Sequence, residues 1–287
     1  MLIDLQIHSN YSDGYLTPTQ VVEFLAQQKV KIAALTDHNT VAGLDEFRQA
    51  CRQFKIKPIT GLELYVKFRH RHFNLLWYNF NDTDPELHDL LRQSQIRRRR
   101  NVRAVLQKLI RKGFVLNVDL MLDKYTHYVP INRVVDEIWQ NAKNRHRIIQ
   151  LLKIQRPREE EIIAAFLKSK QFVALRESYI DITRILRLRQ KIGGQLIWNH
   201  PAKYDYIKRS FFAQVKQLGV DGIELLSPHH SWGAVSYLQQ IAQEFDFITT
   251  GGSDFHKFDK GKVKLTHSWQ YYKIDSQYLR GINKIII

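Results

Sequence analysis

The chain has 287 residues, of which 44% are hydrophobic and 25% are charged, a composition typical of a globular protein that can bury a sizeable core. No stretch approaches the ~18 apolar residues of a membrane helix, and the N-terminal MLIDLQIHS lacks the order of basic, apolar and small residues that marks an export signal. We therefore expect a cytoplasmic protein with no membrane contact. The single cysteine, Cys51, excludes an internal disulfide, and the formal net charge of +16 favours a polyanionic partner.

Residues 1–91 alternate short apolar runs with amphipathic stretches. The order is MLIDLQIH, PTQVVEFLAQQK, IAALTDH, AGLDEFRQACRQF and KPITGLELYVKF. In the first amphipathic stretch the apolar residues recur at helical spacing, and Thr17 before Pro18 is a typical helix start. This alternation predicts parallel strands joined by crossover helices.

Long helical patterns replace the short apolar runs from about residue 86. They cover LHDLLRQSQIRRRRNVRAVLQKLIRK, INRVVDEIWQNA, REEEIIAAFLKS and DITRILRLRQKI. The patterns predict a helical subdomain over residues 92–191 that is inserted into the surrounding α/β domain.

Nearly all of the excess positive charge lies in this predicted insertion. Residues 92–191 contain 24 Lys and Arg against 9 Asp and Glu, a net charge of +15. Arg97, Arg98, Arg99 and Arg100 are consecutive on one predicted helix. The confinement of the charge predicts that these arginines bind the phosphates of a nucleotide or nucleic acid; a solvated helix face is the alternative interpretation.

The first pattern resumes at residue 192. The segments GGQLIWNHP, SFFAQVKQLG, DGIELLS, AVSYLQQIAQEF and DFITTGGSDFH again alternate strand and helix character. Residues 1–91 and 192–287 are therefore predicted to be two parts of one α/β domain.

Histidines and carboxylates recur where the predicted strands end. They are His8, Asp13, Asp37, His38, Glu63, His200, Asp254 and His256. In parallel α/β folds the carboxyl ends of the strands meet at one edge, so we expect these side chains to converge. A mixed His, Asp and Glu set suits Zn, Mn or Fe, and clustered ions activate water. Any one of these residues could be structural, but their recurrence at five strand ends indicates a shared metal site.

Five motifs in order resemble those of the polymerase and histidinol phosphatase (PHP) domain family. DLQIHSNYSDG is similar to the first motif of the family, usually DLHxHSxxSDG, and ALTDHNT, GLEL, LIWNHP and GGSDFH resemble the second to the fifth. The resemblance implies an α/β fold, a distorted seven-stranded (β/α) barrel with an inserted helical subdomain and two or three divalent metal ions at its carboxyl face. The insertion is similar to that of the bacterial branch that dephosphorylates 3′,5′-nucleoside bisphosphates or trims RNA ends.

The resemblance also assigns roles by position. The implied metal ligands are His8, Asp13, His38, Glu63, His200, Asp254 and His256. Of these, Glu63, Asp254 and His256 are predicted to be central to catalysis by metal-activated water. Asp37 is predicted to orient His38 or cap the following helix. His230 in SPHHS corresponds to a position that faces substrate phosphate, with an exposed loop histidine as the alternative.

Four positions depart from the family pattern. Gln6 and Asn74 stand where the pattern has histidine, and amide oxygens are poorer ligands than imidazole for Zn-like ions, so both are predicted to be weak ligands. In the insertion, VPIN replaces an RPH-type phosphate contact, with Val129 and Ile131 in place of Arg and His.

The sequence leads to a metal-dependent phosphoesterase that acts on a nucleotide or nucleic-acid end. One alternative is a weakly active or inactive relative that binds RNA or DNA through the basic insertion, which the departures at Gln6 and Asn74 favour. A small-molecule phosphatase, such as one acting on histidinol phosphate, is the other alternative.

Overall fold

The computed structural model describes residues 1–169, 174–204, 207–258 and 273–287. The chain divides into two compact units, one formed by Met1–Asp89 with Tyr179–Ile287 and the other by Leu90–Ser178. The sequence patterns placed the insertion at 92–191, whereas the second unit ends at Ser178. The difference arises because Ile180–Asp181 pairs with a strand of the first unit and the helix that follows contacts the same strand.

One sheet organises the first unit. Within the described residues it has nine strands, which are β1 Leu2–Ile7, β2 Ile32–Leu35, β3 Lys57–Phe68, β4 Arg71–Tyr78, β5 Ile180–Asp181, β6 Gln195–Trp198, β7 Gly222–Leu226, β8 Ile248–Gly251 and β9 Ile274–Asp275. The prediction of seven strands is corrected to this number. Strands β5 and β9 have two residues each, too few to produce an apolar run in the sequence.

The strand order along the sheet is β8-β7-β6-β4-β3-β2-β1-β9, with β5 paired to β3. Strands β1, β2 and β3 are parallel neighbours, as are β6, β7 and β8. Strand β4 is antiparallel to both β3 and β6. The prediction that residues 1–91 form parallel strands joined by crossover helices was wrong for β4, because a turn at Arg69, with a φ of 55°, joins β3 directly to β4.

The sheet curls into a nearly closed barrel. The segment after β8 hydrogen-bonds to β1: Asp254 N donates to Gln6 O at 3.0 Å, and His8 N donates to Phe255 O at 3.0 Å. Residues that follow β8 are thereby held against the end of β1. The closure brings the end of β8 next to the end of β1.

The described residues also form helices in both units. They are α1 Pro18–Gln27, α2 Leu44–Phe54, α3 Pro85–Arg111, α4 Val118–Asp123, α5 Ile131–Gln140, α6 Ala142–Leu152, α7 Glu159–Ile162, α8 Ile182–Ile192, α9 Arg209–Gln217, α10 Trp232–Glu244 and α11 Asn283–Ile286. None of the helices in the described ranges is long and apolar enough to cross a membrane.

The local sequence of helix α1 explains where the helix begins and which face it buries. The Thr17 side chain accepts a hydrogen bond from Gln20 N, and the Gln20 side chain accepts one from Thr17 N, which is a capping box. The predicted helix start is confirmed. Val21, Val22 and Leu25 on the apolar face are fully buried in a cluster that also contains Phe47 of α2.

The second unit has its own hydrophobic core. Buried residues of α3, α4, α5 and α6 and of the π-helical turn Ile163–Leu167 form one cluster. The helical patterns over LHDLL…LIRK, INRVVDEIWQNA and DITRILRLRQKI are confirmed as α3, α5 and α8, and REEEIIAAFLKS contains α7 with the π-helical turn. The sequence patterns did not reveal the helices α4 and α6.

Candidate metal centre

The first unit brings the predicted strand-end residues together at one end of the barrel. His8 directly follows β1, and His38 follows β2 and forms a backbone bridge with Glu63 of β3. His200 lies just beyond β6, and Asp254 just beyond β8. Parallel neighbours end at the same edge, which is why residues distant in sequence share this place.

Two glycines let the surrounding loops approach the end of β1. A Cβ at Gly14 would lie 2.5 Å from His8 O, and a Cβ at Gly252 would lie 2.4 Å from Gln6 N, so a larger residue does not fit. Asp254 has a φ of 50°, in the left-handed region that residues other than glycine rarely adopt. Close backbone approach therefore explains Gly14 of SDG and Gly252, the second glycine of GGSD.

One group of possible ligands is centred on Asp13. The ligand atoms of His8, Asp13, His38 and His256 all lie within 4.8 Å of one another. Asp13 Oδ1 is 3.6 Å from His8 Nδ1 and 3.4 Å from His256 Nε2, while Oδ2 is 3.5 Å from His38 Nε2. The His8 ring stacks on His256 with ring centroids 4.2 Å apart.

A second group shares His8 with the first. It consists of His8, Glu63 and Asp254. His8 Nε2 lies 3.0 Å from Glu63 Oε2 and 3.2 Å from Asp254 Oδ1. The other oxygen of Glu63, Oε1, lies 3.5 Å from His200 Nε2. All seven residues predicted as ligands are therefore adjacent, with Glu63 between His8 and His200.

The donor atoms of this cluster fit divalent cations. Both ring nitrogens of His8 are buried and lack an aligned hydrogen bond to the described residues, although Nε2 lies close to the carboxylates of Glu63 and Asp254 and Nδ1 lies 3.6 Å from Asp13 Oδ1. Imidazole nitrogens and carboxylate oxygens that converge in this way are the donor atoms that a divalent ion requires. The residues present can therefore hold divalent metal ions.

The carboxylates of the cluster remain charged although they are buried. Burial raises the pKa of Asp13, but the charges of His38 and His256 outweigh it and hold that pKa well below its usual value. The pKa of Glu63 is lowered in the same way, against burial, mainly by His38. That of Asp254 is lowered, again against burial, mainly by His256. Three negative charges are thus concentrated where cations would bind.

His200 is held in its neutral form by burial. Burial lowers the pKa of His200 to about 4, and the neutral imidazole is the form that binds metals. His200 N donates a hydrogen bond of 3.1 Å to Glu224 Oε2. Sequence reasoning missed Glu224, which is fully buried; its signal is a carboxylate inside the otherwise apolar strand GIELL.

Three amides surround the carboxylates of the second group. Asn74 Nδ2 donates to Glu63 Oε1 at 2.5 Å, and Asn199 Nδ2 donates to the same oxygen at 2.7 Å. Gln6 Nε2 donates to Asp254 Oδ1 at 3.0 Å. In this arrangement Gln6 and Asn74, predicted as weak ligands, act as hydrogen-bond donors to the ligand carboxylates. Sequence reasoning missed Asn199 beside His200.

The loop after β7 contributes His229 where the sequence suggested His230. His229 Nε2 lies 2.7 Å from Asp254 Oδ2. His230 is buried, with Nδ1 2.8 Å from Leu225 O and Nε2 3.4 Å from Ala202 N. Because backbone groups use both of its ring nitrogens, His230 is not placed to bind a phosphate. The sequence SPHHS contains two adjacent histidines, and it does not indicate which of them faces the metal centre.

Asp37 braces a loop instead of orienting His38. Its side chain accepts hydrogen bonds from Ser9 N at 2.8 Å, Ser9 Oγ at 2.6 Å and Ser12 Oγ at 2.5 Å. These bonds fix the loop between His8 and Asp13, two residues of the first group. The prediction that Asp37 orients His38 or caps a helix is therefore corrected.

Residues 97–100 of α3, the arginine run, lie in the second unit. The side chains of Arg98 and Arg99 make contacts within that unit. Arg98 is buried, donates from Nε to Val129 O at 2.7 Å and forms an ion pair with Glu177. Arg99 Nη1 donates to Leu122 O and Tyr125 O, at the end of α4. For Arg98 the prediction of phosphate binding was wrong, because its side chain is buried in its own unit. Arg99 is partly exposed and donates to the end of α4, so phosphate binding by Arg99 stays a prediction. Arg97 is half-buried and Arg100 is exposed.

The first unit is a nearly closed α/β barrel whose strand ends carry buried imidazoles and carboxylates. These features are typical of a metal-binding barrel. The PHP domain model matches residues 4–184, which is more than half of the chain. The chain belongs to the PHP domain family, and the resemblance of its motifs is confirmed.

Three bacterial enzymes are similar to this chain over most of its length. A 5′-3′ exoribonuclease of Haemophilus influenzae is 27% identical, covering 91% of this chain and 92% of the relative. A phosphoribosyl 1,2-cyclic phosphate 1,2-diphosphodiesterase of Eggerthella lenta is 25% identical, covering 89% and 94%. A 3′,5′-nucleoside bisphosphate phosphatase of Chromobacterium violaceum is 24% identical, covering 93% and 91%.

Solved structures share the fold. An amidohydrolase from Chromobacterium violaceum with bound sulfate superposes with a TM-score of 0.73 at 20% identity, over 95% of this chain and 96% of that chain. A protein from Bifidobacterium adolescentis, proposed to be a metal-dependent phosphoesterase, superposes with a TM-score of 0.74 at 19% identity over the same shares. At these identities the likeness concerns the fold alone.

Proposed function

We propose that this protein is a metal-dependent phosphoesterase that hydrolyses a phosphate ester of a nucleotide or of a nucleic-acid end. The observation that carries the proposal is the pair of ligand groups that share His8 and together contain the carboxylates of Asp13, Glu63 and Asp254. The family and the names of the three relatives, which refer to RNA, a cyclic phosphate and nucleoside bisphosphates, support this class of substrate.

The residues of the two groups would hold the metal ions. Asp13, His38 and His256 would bind one ion, Glu63 and Asp254 another, and His8 lies between both. Divalent Mn, Zn or Fe suits this mixture of donors. When bound, such ions activate water and offset the charge that develops on a phosphoryl group.

Glu63 and Asp254, the carboxylates of the second group, also contact imidazoles outside that group. Glu63 presents one oxygen to His8 and the other to His200, so it can serve two positions at once. Asp254 presents Oδ1 to His8 and Oδ2 to His229. The His229 side chain is 33% exposed, and we infer that its imidazole would be the proton donor to a leaving oxygen.

The experiment is hydrolysis of an aryl phosphate and of a 3′,5′-nucleoside bisphosphate by the purified protein. Both activities should disappear after treatment with a chelator and return when Mn²⁺, Zn²⁺ or Fe²⁺ is added. Phosphate release that is unaffected by chelation, or no release with any of these ions, would contradict the proposal.

The second unit favours an additional role in binding nucleic acid. Residues 90–178 contain 20 basic and 8 acidic side chains, a net charge of +12. Exposed cations on and after α3 include Arg92, Arg100, Lys108, Arg111 and Lys112. We infer that exposed cations of this kind, and not Arg98, would contact phosphates.

Affinity for a short RNA strand should therefore fall steeply as salt concentration rises, because bound cations release counterions from the strand. Replacing Arg100, Lys108 and Arg111 by Gln should flatten the slope of log affinity against log salt, since each lost phosphate contact lowers it by about one. Affinity that does not change with salt would contradict this role.

A further inference from the structure

Aromatic rings continue outward from the metal centre. Tyr65 stacks on His38, with ring centroids 4.6 Å apart and an angle of 17° between the ring planes. Tyr179 meets Tyr65 edge-on at 6.1 Å and stacks on His72 at 4.0 Å. Tyr65, Tyr179 and His72, which we name the aromatic shelf, thus form a continuous series of ring contacts that starts at a residue of the metal centre.

Strand geometry places the shelf on the same side of the sheet as the metal centre. Tyr65 follows Glu63 by two residues on β3, so both side chains share a face and lie about 7 Å apart along the strand. Asn74 is paired with Tyr65 across the β3–β4 ladder and donates to Glu63. In the next pair with side chains on this face, Lys67 lies opposite His72.

The shelf is not part of the hydrophobic core. Tyr65 and Tyr179 are partly exposed, and His72 and Lys67 are exposed. By contrast, Tyr78 at the other end of β4 is fully buried and donates its hydroxyl to the backbone. Desolvation and the charge of Lys67 lower the pKa of His72, so its imidazole is a neutral ring at pH 7.

We propose that the aromatic shelf stacks the base of a substrate nucleotide whose phosphate lies at the metal centre, with Lys67 contacting a neighbouring phosphate. Aromatic rings of this kind bind nucleobases by their flat faces and tolerate different sequences. This inference rests on the proposed phosphoesterase function and extends it: the preferred substrate carries a base on the nucleotide that is cleaved. A phosphate ester without a base would be a poor substrate.

The test compares two short RNAs that differ only in the terminal nucleotide, one with a normal base and one abasic. Wild-type protein should bind and cleave the strand with the base about tenfold or more better, mainly through KM. Tyr179→Leu and His72→Ala should reduce this preference toward one, whereas Tyr179→Phe should keep it because the ring remains. Neither Tyr179 nor His72 belongs to the ligand groups, so metal content should not change.

Exposed aromatic residues outside the shelf provide the controls. Tyr278, which is 69% exposed, and Trp232, which is 88% exposed, also lie in the first unit. Tyr278→Leu and Trp232→Leu should leave the preference for the base unchanged. If wild type cleaves both strands equally, or if Trp232→Leu abolishes the preference while Tyr179→Leu does not, the shelf is not the base site.

Binding of the two strands, measured by calorimetry with Ca²⁺ in place of the catalytic metal, separates the two proposals. If binding with Ca²⁺ shows a preference for the base that depends on Tyr179, but neither strand is cleaved with Mn²⁺, Zn²⁺ or Fe²⁺, the result would support the shelf and contradict the phosphoesterase function. Cleavage of both strands with equal binding would support the function and contradict the shelf.

Discussion

The metal centre of the first unit and the arginine run of the second unit concentrate charge in opposite ways. In the metal centre, residues distant in sequence converge: Gln6 and Asp254 are 248 positions apart, yet their side chains lie 3.0 Å from each other. In the arginine run, residues adjacent in sequence diverge, because Arg98 is paired with Glu177 and Arg99 with the end of α4. Strand ends gather side chains at one edge, whereas a helix distributes neighbours around its axis. Recurrence across elements is therefore better evidence for a site than a run of one residue type.

Removal of a central carboxylate should have the largest effect. Asp254→Asn leaves His8 and His229 without the charge they face, so hydrolysis of an aryl phosphate should fall to background. The matched control is Asp246→Asn, which removes an exposed carboxylate paired with Arg280 and should leave the rate unchanged. Equal rates for Asp254→Asn and wild type would remove Asp254 from the centre.

The arginine run should show its internal role in stability. Arg98→Gln leaves the partly buried Glu177 without its cation and should lower the free energy of unfolding by about 3 kcal/mol. Arg100→Gln, next but one on the same helix and exposed, should change it by less than about 0.5 kcal/mol. Urea unfolding followed by circular dichroism measures both. Similar effects of the two substitutions would contradict the difference between these neighbours.

Restoring histidine at the amide positions should sharpen the account of the metal centre. Gln6→His and Asn74→His replace hydrogen-bond donors to Asp254 and Glu63 by groups that can bind metal. Metal affinity should rise by about tenfold or more, judged by the effects that residues around a metal ligand already have. Metal titrations of each variant and of the double variant measure this. Unchanged affinity in the double variant would show that the amides do not limit binding.

A smaller effect concerns Asp4, which is fully buried and has no cationic partner in the described residues. Burial raises the pKa of Asp4 from 3.8 to about 7, so its stabilising contribution is complete below pH 3.8 and is lost as pH rises through 7. An asparagine at this position would keep the oxygen that accepts from Ser253 N and Gln6 N. Asp4→Asn should therefore gain stability relative to wild type between about pH 5 and pH 8, by about 1.4 kcal/mol per pKa unit at most. An identical pH dependence of urea unfolding in both proteins would contradict the shift.

Much of the first unit could be predicted from sequence because its signals are local. The capping box at Thr17 predicts the start of α1, and the alternation of apolar runs predicts the parallel strands. The antiparallel strand β4 and the two-residue strands β5 and β9 could not be predicted, because they depend on pairing partners and not on their own pattern.

Side-chain roles within the site were less predictable than the positions of its residues. The seven strand-end residues are adjacent, but the choice between His229 and His230 depends on how one loop turns. Asp37 has a carboxylate that could bind a metal ion, and only its hydrogen bonds from Ser9 and Ser12 show that it fixes a loop. Such details depend on backbone approach over long sequence distances, which single-sequence patterns do not contain.

The most direct test of the metal centre is metal content per chain for His8→Asn, since His8 belongs to both ligand groups. The protein is treated with chelator, loaded with Mn²⁺ or Zn²⁺, separated from free metal and measured by elemental analysis. The matched control is His70→Asn, the same substitution at an exposed histidine in the turn between β3 and β4. We predict that wild type and His70→Asn retain at least one ion per chain and that His8→Asn loses most of it. Equal metal content in all three proteins would contradict a metal centre built around His8.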